Sequence, residues 1–392
     1  MKTVQINALS GLRNDVSTER FGPGDLLSGK NVDIDETGKV MRRHGRSQVS
    51  ATPTSSVWAD GETMLYVQNG RLYRRLDNGT AVQLYDGIGM DVSYEAVNDR
   101  VYMSDGQKSF VLADDKLRPW GLEVPPKTFQ LSSAPGDLSA GTYGVTIVYL
   151  RDGMESGAPR SQYIELAANR AIRIQNLPVP TDASITHKRI YMTSANGEAH
   201  YAVALLPAAD TSITIFDLPA TSIVLRTQFK TPAPAGHIVG HFNGRNFVAA
   251  GNTLFWTDPL EYELFDLREN FVSFSSQIQI FAPVMEGAFL ATETETIFLR
   301  GRNPAEWEVV KAAPYGAVRG TLVTPPNNQI GKDGVQGAVA LWISTRGVCI
   351  GTSEGQLENL TGNRFVMPAA RIGAGLFKVR GGTPQYLVSL YS

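Results

Sequence analysis

Met64-Leu65-Tyr66-Val67-Gln68-Asn69-Gly70-Arg71-Leu72-Tyr73-Arg74 reads as two short strands joined by a tight turn. Both arms are aliphatic and aromatic, the residue types that pack well on a pleated surface. Asn69-Gly70 between them supplies the positive φ angles that a type I′ hairpin turn requires. Nowhere along the chain does an i, i+3, i+4, i+7 apolar pattern persist beyond about two turns. The 38 glycines and 21 prolines fall between short runs rather than in one tract. The chain therefore reads as all-β.

The hairpin unit recurs. Leu72-Tyr73 is echoed by Val101-Tyr102, Leu254-Phe255, Ile297-Phe298 and Val348-Cys349, each followed by a turn and another β run. Steps between the first residues of these pairs are 29, 153, 43 and 51 residues. Four-stranded propeller blades repeat at roughly 40–50 residues, so one step is short and one far too long. The long step contains its own strands, among them Gly141–Tyr149, Ala171–Ile174, Lys188–Thr193 and Ser212–Phe216. Pro125-Pro126 and Pro232-Ala233-Pro234 flank them as linkers. About 100 residues with this rhythm match an immunoglobulin- or fibronectin III-like β-sandwich. The expected fold is a β-propeller of five to six degenerate blades interrupted by that sandwich. It divides into an N-terminal extended segment (1–49), a first run of propeller blades (50–124), the inserted sandwich (125–231) and a second run of blades (232–392). Segment 1–49 is expected to close the propeller by pairing with the last strand, Gln385–Leu390.

Bulk composition narrows the function classes. Thirty-six basic against 38 acidic residues give a net charge of −2, without the basic excess of a protein that wraps nucleic acid. The single cysteine, Cys349, excludes an intramolecular disulfide and a cysteine-based zinc cluster, and its strand-like setting suggests a buried, inert thiol. Met1–Asn7 has no apolar core of signal-peptide length, and no stretch approaches a transmembrane helix, so synthesis and folding in a cytoplasm are expected.

Candidate chemistry is sparse. No Gly-x-Ser-x-Gly nucleophile elbow and no P-loop are expected, nor the Asp-box turns of propeller hydrolases, and Ser353-Glu354-Gly355 is not such a turn. His237 and His241 could share a strand face as metal ligands, but no carboxylate lies near them in sequence, and structural histidines are the expectation. Asp33-Ile34-Asp35-Glu36-Thr37-Gly38 lacks the full ligand set of a calcium loop and reads as a hairpin turn. Arg42, Arg43, His44 and Arg46 form the densest basic cluster. Arg42, Arg43 and Arg46 either touch DNA or an acidic neighbour, or form a solvated edge that discourages strand addition. Tyr143, Tyr149, Trp256, Trp307 and Trp342 read as core, while Phe271–Phe274 and Phe289-Leu290 are candidates for partial exposure at a neighbour-facing surface. No catalytic residue, cofactor site or metal site is assigned.

Three strings in the first fifty residues carry a resemblance: Phe21-Gly22-Pro23-Gly24-Asp25-Leu26-Leu27, Lys30–Asp35, and Gly38-Lys39-Val40-Met41-Arg42-Arg43-His44-Gly45-Arg46. They resemble the opening of bacteriophage tail nozzle, or hub, proteins of short-tailed phages. Leu138–Tyr143 and Asp152–Ser156 are similar to sandwich modules of phage tail proteins. The resemblance implies a non-enzymatic structural virion protein made in the host bacterial cytoplasm. It implies a homo-hexameric ring below the tail adaptor and portal, contacts with tail fibres, and a lumen that passes double-stranded DNA without sequence specificity. The competing expectation is a host-receptor- or carbohydrate-binding propeller module with an accessory sandwich.

Overall fold

The computed structural model describes all residues except 1–8, 36, 44, 46, 62, 332, 363 and 381. The described chain is all-β, with three single-turn 3₁₀ helices as its only helical elements. In the N-terminal arm, β1 (Gly11–Leu12) pairs in parallel with β2 (Asp25–Leu26), and β3 (Val32–Ile34) forms a hairpin with β4 (Val40–Arg42). The first sheet is β5 (Ser55–Ala59), β6 (Met64–Gln68), β7 (Arg71–Arg75) and β8 (Ala81–Asp86). The second is β9 (Ser93–Val97), β10 (Arg100–Ser104), β11 (Ser109–Ala113) and β12 (Lys116–Pro119). Both are antiparallel meanders whose spatial order is their chain order, as short hairpin turns dictate. Asn69 and Gly70 take φ values of 52° and 71°, the conformation expected of the turn that opened the sequence reading.

The chain then leaves for an inserted domain. One layer is β13 (Gln130–Leu138), β17 (Arg170–Gln175) and β20 (Ser212–Ile215); the other is β14 (Gly141–Arg151), β15 (Met154–Glu155), β16 (Gln162–Leu166), β18 (His187–Thr193) and β19 (His200–Pro207). Val145, Ile147, Ile190 and Met192 of the second layer share one buried core with Leu138, Ile172, Ile174 and Ile215 of the first. Two sheets closed on one core make a sandwich.

On return, β21 (Ile238–Phe242), β22 (Arg245–Ala250), β23 (Thr253–Trp256) and β24 (Phe271–Ser273) form the third sheet. The fourth is β25 (Ile278–Val284), β26 (Gly287–Thr292), β27 (Thr296–Arg300) and β28 (Glu308–Ala313). A three-stranded fifth sheet, β29 (Ala340–Ser344), β30 (Gly347–Gly351) and β31 (Leu357–Asn359), and a final hairpin, β32 (Ile372–Arg380) with β33 (Thr383–Tyr391), complete the series.

Each sheet packs on the next. Leu65, Val67 and Leu72 meet Tyr94, Met103 and Phe110 between the first and second sheets. Tyr102 and Trp120 meet Val239, Val248 and Phe265 between the second and third. Phe247 and Trp256 meet Phe281, Leu290 and Leu299 between the third and fourth, and Phe289 and Phe298 meet Trp342 and Cys349 between the fourth and fifth. Phe377 and Tyr386 of the last hairpin lie against Val339, Leu341 and Ile350. Trp307 packs against the core between the third and fourth sheets, and Tyr143, Tyr149, Trp256 and Trp342 are buried.

Three expectations need correction. The echoes are not equivalent positions: Leu72, Leu254 and Ile297 stand on third strands, whereas Val101 and Val348 stand on second strands, which accounts for the short step of 29 residues. Phe289 and Leu290 are fully buried between sheets rather than partly exposed, although Phe271 is exposed. Finally, the ladder partner of Gln385–Leu390 is β32, and no described residue of 1–49 pairs with that strand. The arm reaches the C-terminal region through Asn14, whose backbone N–H bonds to the Arg364 carbonyl at 3.0 Å and whose side chain bonds to Val366, and through the Asp25–Arg364 ion pair.

Gly157 marks the closest approach between the inserted domain and its exit segment. A Cβ there would stand 1.7 Å from the Lys230 carbonyl oxygen, which is backbone and cannot swing aside. Gly157→Ala should therefore destabilise the protein by about 1–3 kcal/mol, read as a lower denaturant midpoint. An unchanged midpoint would contradict this packing.

Candidate functional site: the central crevice and the basic hairpin

The first strands of successive sheets leave a crevice between them. Its walls come from β9, β21, β25 and the segment 319–324, with Trp58 of β5 at one side and a volume of about 460 Å³. Through Trp58, Asp91–Tyr94, Gly320 and Leu322 it adjoins a slot of about 670 Å³ between β5 and β32. Trp58 is half-buried and stacks on Tyr94 with ring centroids 5.8 Å apart. Arg319 forms an ion pair with Asp91 and so ties the segment before the fifth sheet to the entry of β9.

Alternation along Ser93-Tyr94-Glu95-Ala96-Val97 sends Tyr94 toward the first sheet and Ser93, Glu95 and Val97 toward the third. Ser93 Oγ accepts the Val239 N–H at 2.9 Å on that side. Glu95 reaches the crevice but is otherwise enclosed by protein, and burial pushes its carboxyl up to about 8. It is thus mostly protonated at neutral pH, able to donate as well as accept. Burial also raises the Tyr94 phenol and lowers the His237 imidazole, the latter further disfavoured by Arg319.

The two histidines do not converge on a ligand. His237 Nε2 donates to the Ile278 carbonyl at 2.7 Å, while His241 Nδ1 donates to Asn246 Oδ1 at 3.0 Å. Among the described residues, no group of three or more His, Cys, Asp or Glu could hold a metal ion. Cys349 is buried, which raises its thiol, and it bonds to Ser344 Oγ at 3.3 Å.

The basic cluster is only partly within the described residues: His44 and Arg46 lie outside them. Arg43 Nε pairs with Asp33 Oδ1 at 2.8 Å, and that bond foremost holds the Asp33 carboxyl below its ordinary range. Arg42, on the exposed strand β4, is left to face solvent. Asp35 Oδ1 accepts from Thr37 N, Thr37 Oγ1 and Lys39 N, so this acidic string is a hairpin turn.

One string has the spacing of a nucleophile elbow. Gly351-Thr352-Ser353-Glu354-Gly355 has the Gly-x-Ser-x-Gly spacing. It forms a turn between β30 and β31, with Gly355 N bonded to Thr352 O at 3.1 Å and Ser353 buried. An elbow needs a helix after an exposed serine, and neither is present here. Sequence reasoning missed Glu95 and Trp58; the signal was a lone carboxylate between Tyr94 and Ala96 in a short strand.

No protein-family model matches the chain, and no curated protein does. Among solved structures, the chain is similar to the Neurospora crassa Pan2 WD40 domain at 10% identity, covering 86% of this chain and 89% of that one, with a TM-score of 0.32. It is similar to BBS1N, solved in complex with ARL6DN, at 11% identity, 86% and 91% coverage and a TM-score of 0.33. Apo AztD from Citrobacter koseri gives 11% identity, 86% and 79% coverage and a TM-score of 0.33. No helix of the described residues is long and apolar enough to cross a membrane.

Glu95 has a clear pH signature. Its folded form keeps a proton that the unfolded chain releases in the ordinary carboxylate range, so its contribution falls as pH rises toward about 8. Glu95→Gln should gain on the wild type across that window and stay ahead above it, in denaturant midpoints taken between pH about 5 and about 9. Parallel curves would mean that Glu95 ionises normally.

Proposed function

We propose that this chain is a ring-forming subunit of a phage tail nozzle or hub, a six-sheet β-propeller carrying a fibronectin III-like insert. The observation that supports it best is the N-terminal arm. Across the described residues of 9–54, only Gly38 is buried. Leu12, Leu27, Val40, Met41 and Val49 are all exposed along it. An arm that holds apolar side chains outside any core of its own suits contact with a neighbouring subunit. Its root is fixed by Asn14 on Val366 and Arg364 on Asp25, so it is presented rather than loose.

In this reading the ring's lumen passes double-stranded DNA. A net charge of −2 suits a conduit, because each phosphate neutralised by the wall would add affinity that impedes sliding. The inserted sandwich stands outside the series of packed sheets and is free to meet tail fibres. No enzymatic role is assigned.

Sedimentation and native mass measurement of the purified full-length chain test the proposal. A closed ring, expected to contain six copies, supports it; a strict monomer, alone and mixed with other virion proteins, overturns it. Removing residues 1–54 should leave the sheets folded, with a cooperative melt, but abolish assembly.

A further inference from the structure

A second cavity, of about 430 Å³, opens where the second sheet, the third sheet and the inserted domain meet. That is within the roughly 300–1,000 Å³ of ordinary ligand pockets. Its deep wall is fixed. The buried Glu263 carboxylate accepts from Arg100 at 2.6 Å, from Tyr102 Oη at 3.2 Å and from Gly121 N at 3.2 Å. Met154, Leu264 and Leu260 make its apolar surface, and the exposed Asp99 and Glu261 stand at its rim.

Leu260 is the anomaly. It is 75% exposed and has a φ of +63°, a conformation that bulky side chains avoid. Most of the other non-glycine residues at positive φ are Asn or Asp, with Ser56 and Phe229 as the exceptions. Leu260 is held there by its N–H on the Gly244 carbonyl at 2.7 Å. Lys230 braces the same turn by pairing with both Asp258 and Glu261. The fold thus keeps an aliphatic side chain in water at the mouth of a cavity whose rim carries the exposed Asp99.

The arm offers the matching shape and charge. In the β3–β4 register, Val32 faces Arg42 and Ile34 faces Val40, which puts these four on one side of the hairpin. Asp33 and Met41 lie on the other side, where Asp33 pairs with Arg43. Val40 and Arg42 themselves are both exposed, so this edge of the hairpin is open to a neighbour. The hairpin sits beside the last strands, whereas the cavity lies between the second and third sheets, so the two are separate patches of one molecule.

We propose that the β3–β4 hairpin of one copy docks in this cavity of the next. Val40 packs on Leu260 and Leu264, and Arg42 answers Asp99. The contact is head-to-tail, so repetition closes a ring when its rotation permits. This inference rests on the ring-forming reading and names the surface that would serve it.

Charge exchange on the full-length chain is the test. Arg42→Glu and Asp99→Lys both change exposed residues, so each should melt like the wild type. Each should raise the concentration for half-assembly about tenfold or more. The double variant should recover assembly. Leu260→Asn should raise the melting temperature of the dissociated subunit, because Asn tolerates the left-handed region, while also weakening the ring. A wild-type ring that neither single variant weakens overturns this contact and leaves the ring standing. Loss of assembly without recovery in the double variant overturns the Arg42–Asp99 pairing. If Arg42→Glu loses DNA retention but still assembles, the hairpin faces the lumen instead and the contact is wrong. A wild-type chain that is monomeric at every concentration overturns both readings.

Discussion

A four-stranded meander with apolar side chains on both faces cannot stand alone, and the rest of this protein follows from that constraint. Val67, Tyr102, Val248, Phe281 and Trp342 are each buried against a neighbouring sheet rather than within their own. Burial of this kind contributes roughly 25 cal/mol for each Å² of apolar surface removed from water. It is non-directional, so it sets the requirement for neighbours without fixing how many. The crevice is the by-product, left where the first strands of successive sheets converge.

That convergence explains the odd chemistry of Glu95. A carboxylate on a surface strand would ionise and be solvated. On β9 it stands between two sheets, where a charge costs more than a proton does. Arg319 answers Asp91 rather than Glu95.

Much of the fold was legible in the sequence because local chemistry writes it. Asn69-Gly70 specified its turn, and Pro125-Pro126 and Pro232-Ala233-Pro234 bracketed the inserted strands. What could not be read was which strand of a meander each echo belonged to. A Leu-Tyr or Val-Cys pair packs equally well on a second or a third strand, since both are flanked on each side within the sheet. Phe289-Leu290 looked like a candidate face for the same reason: burial between two sheets and exposure to a partner require the same residues. The site was less legible still. Glu95 and Trp58 are separated in sequence and become neighbours of the same crevice only through packing, and Leu260 is unusual in its backbone angle, which no residue name announces.

The two ends of the inserted domain are both bolted to the seam between the second and third sheets. Trp120 at its entry donates its indole N–H to the Tyr262 carbonyl at 2.8 Å, and Gly121 reaches Glu263. At its exit, Thr231 exchanges backbone bonds with Phe265, and the Lys230 carbonyl lies against Gly157. A domain attached at two close points to one seam behaves mechanically as a lever with its fulcrum there. A tug on its far tip is delivered as torque to Tyr102, Trp120 and Phe265, before any strand has to peel.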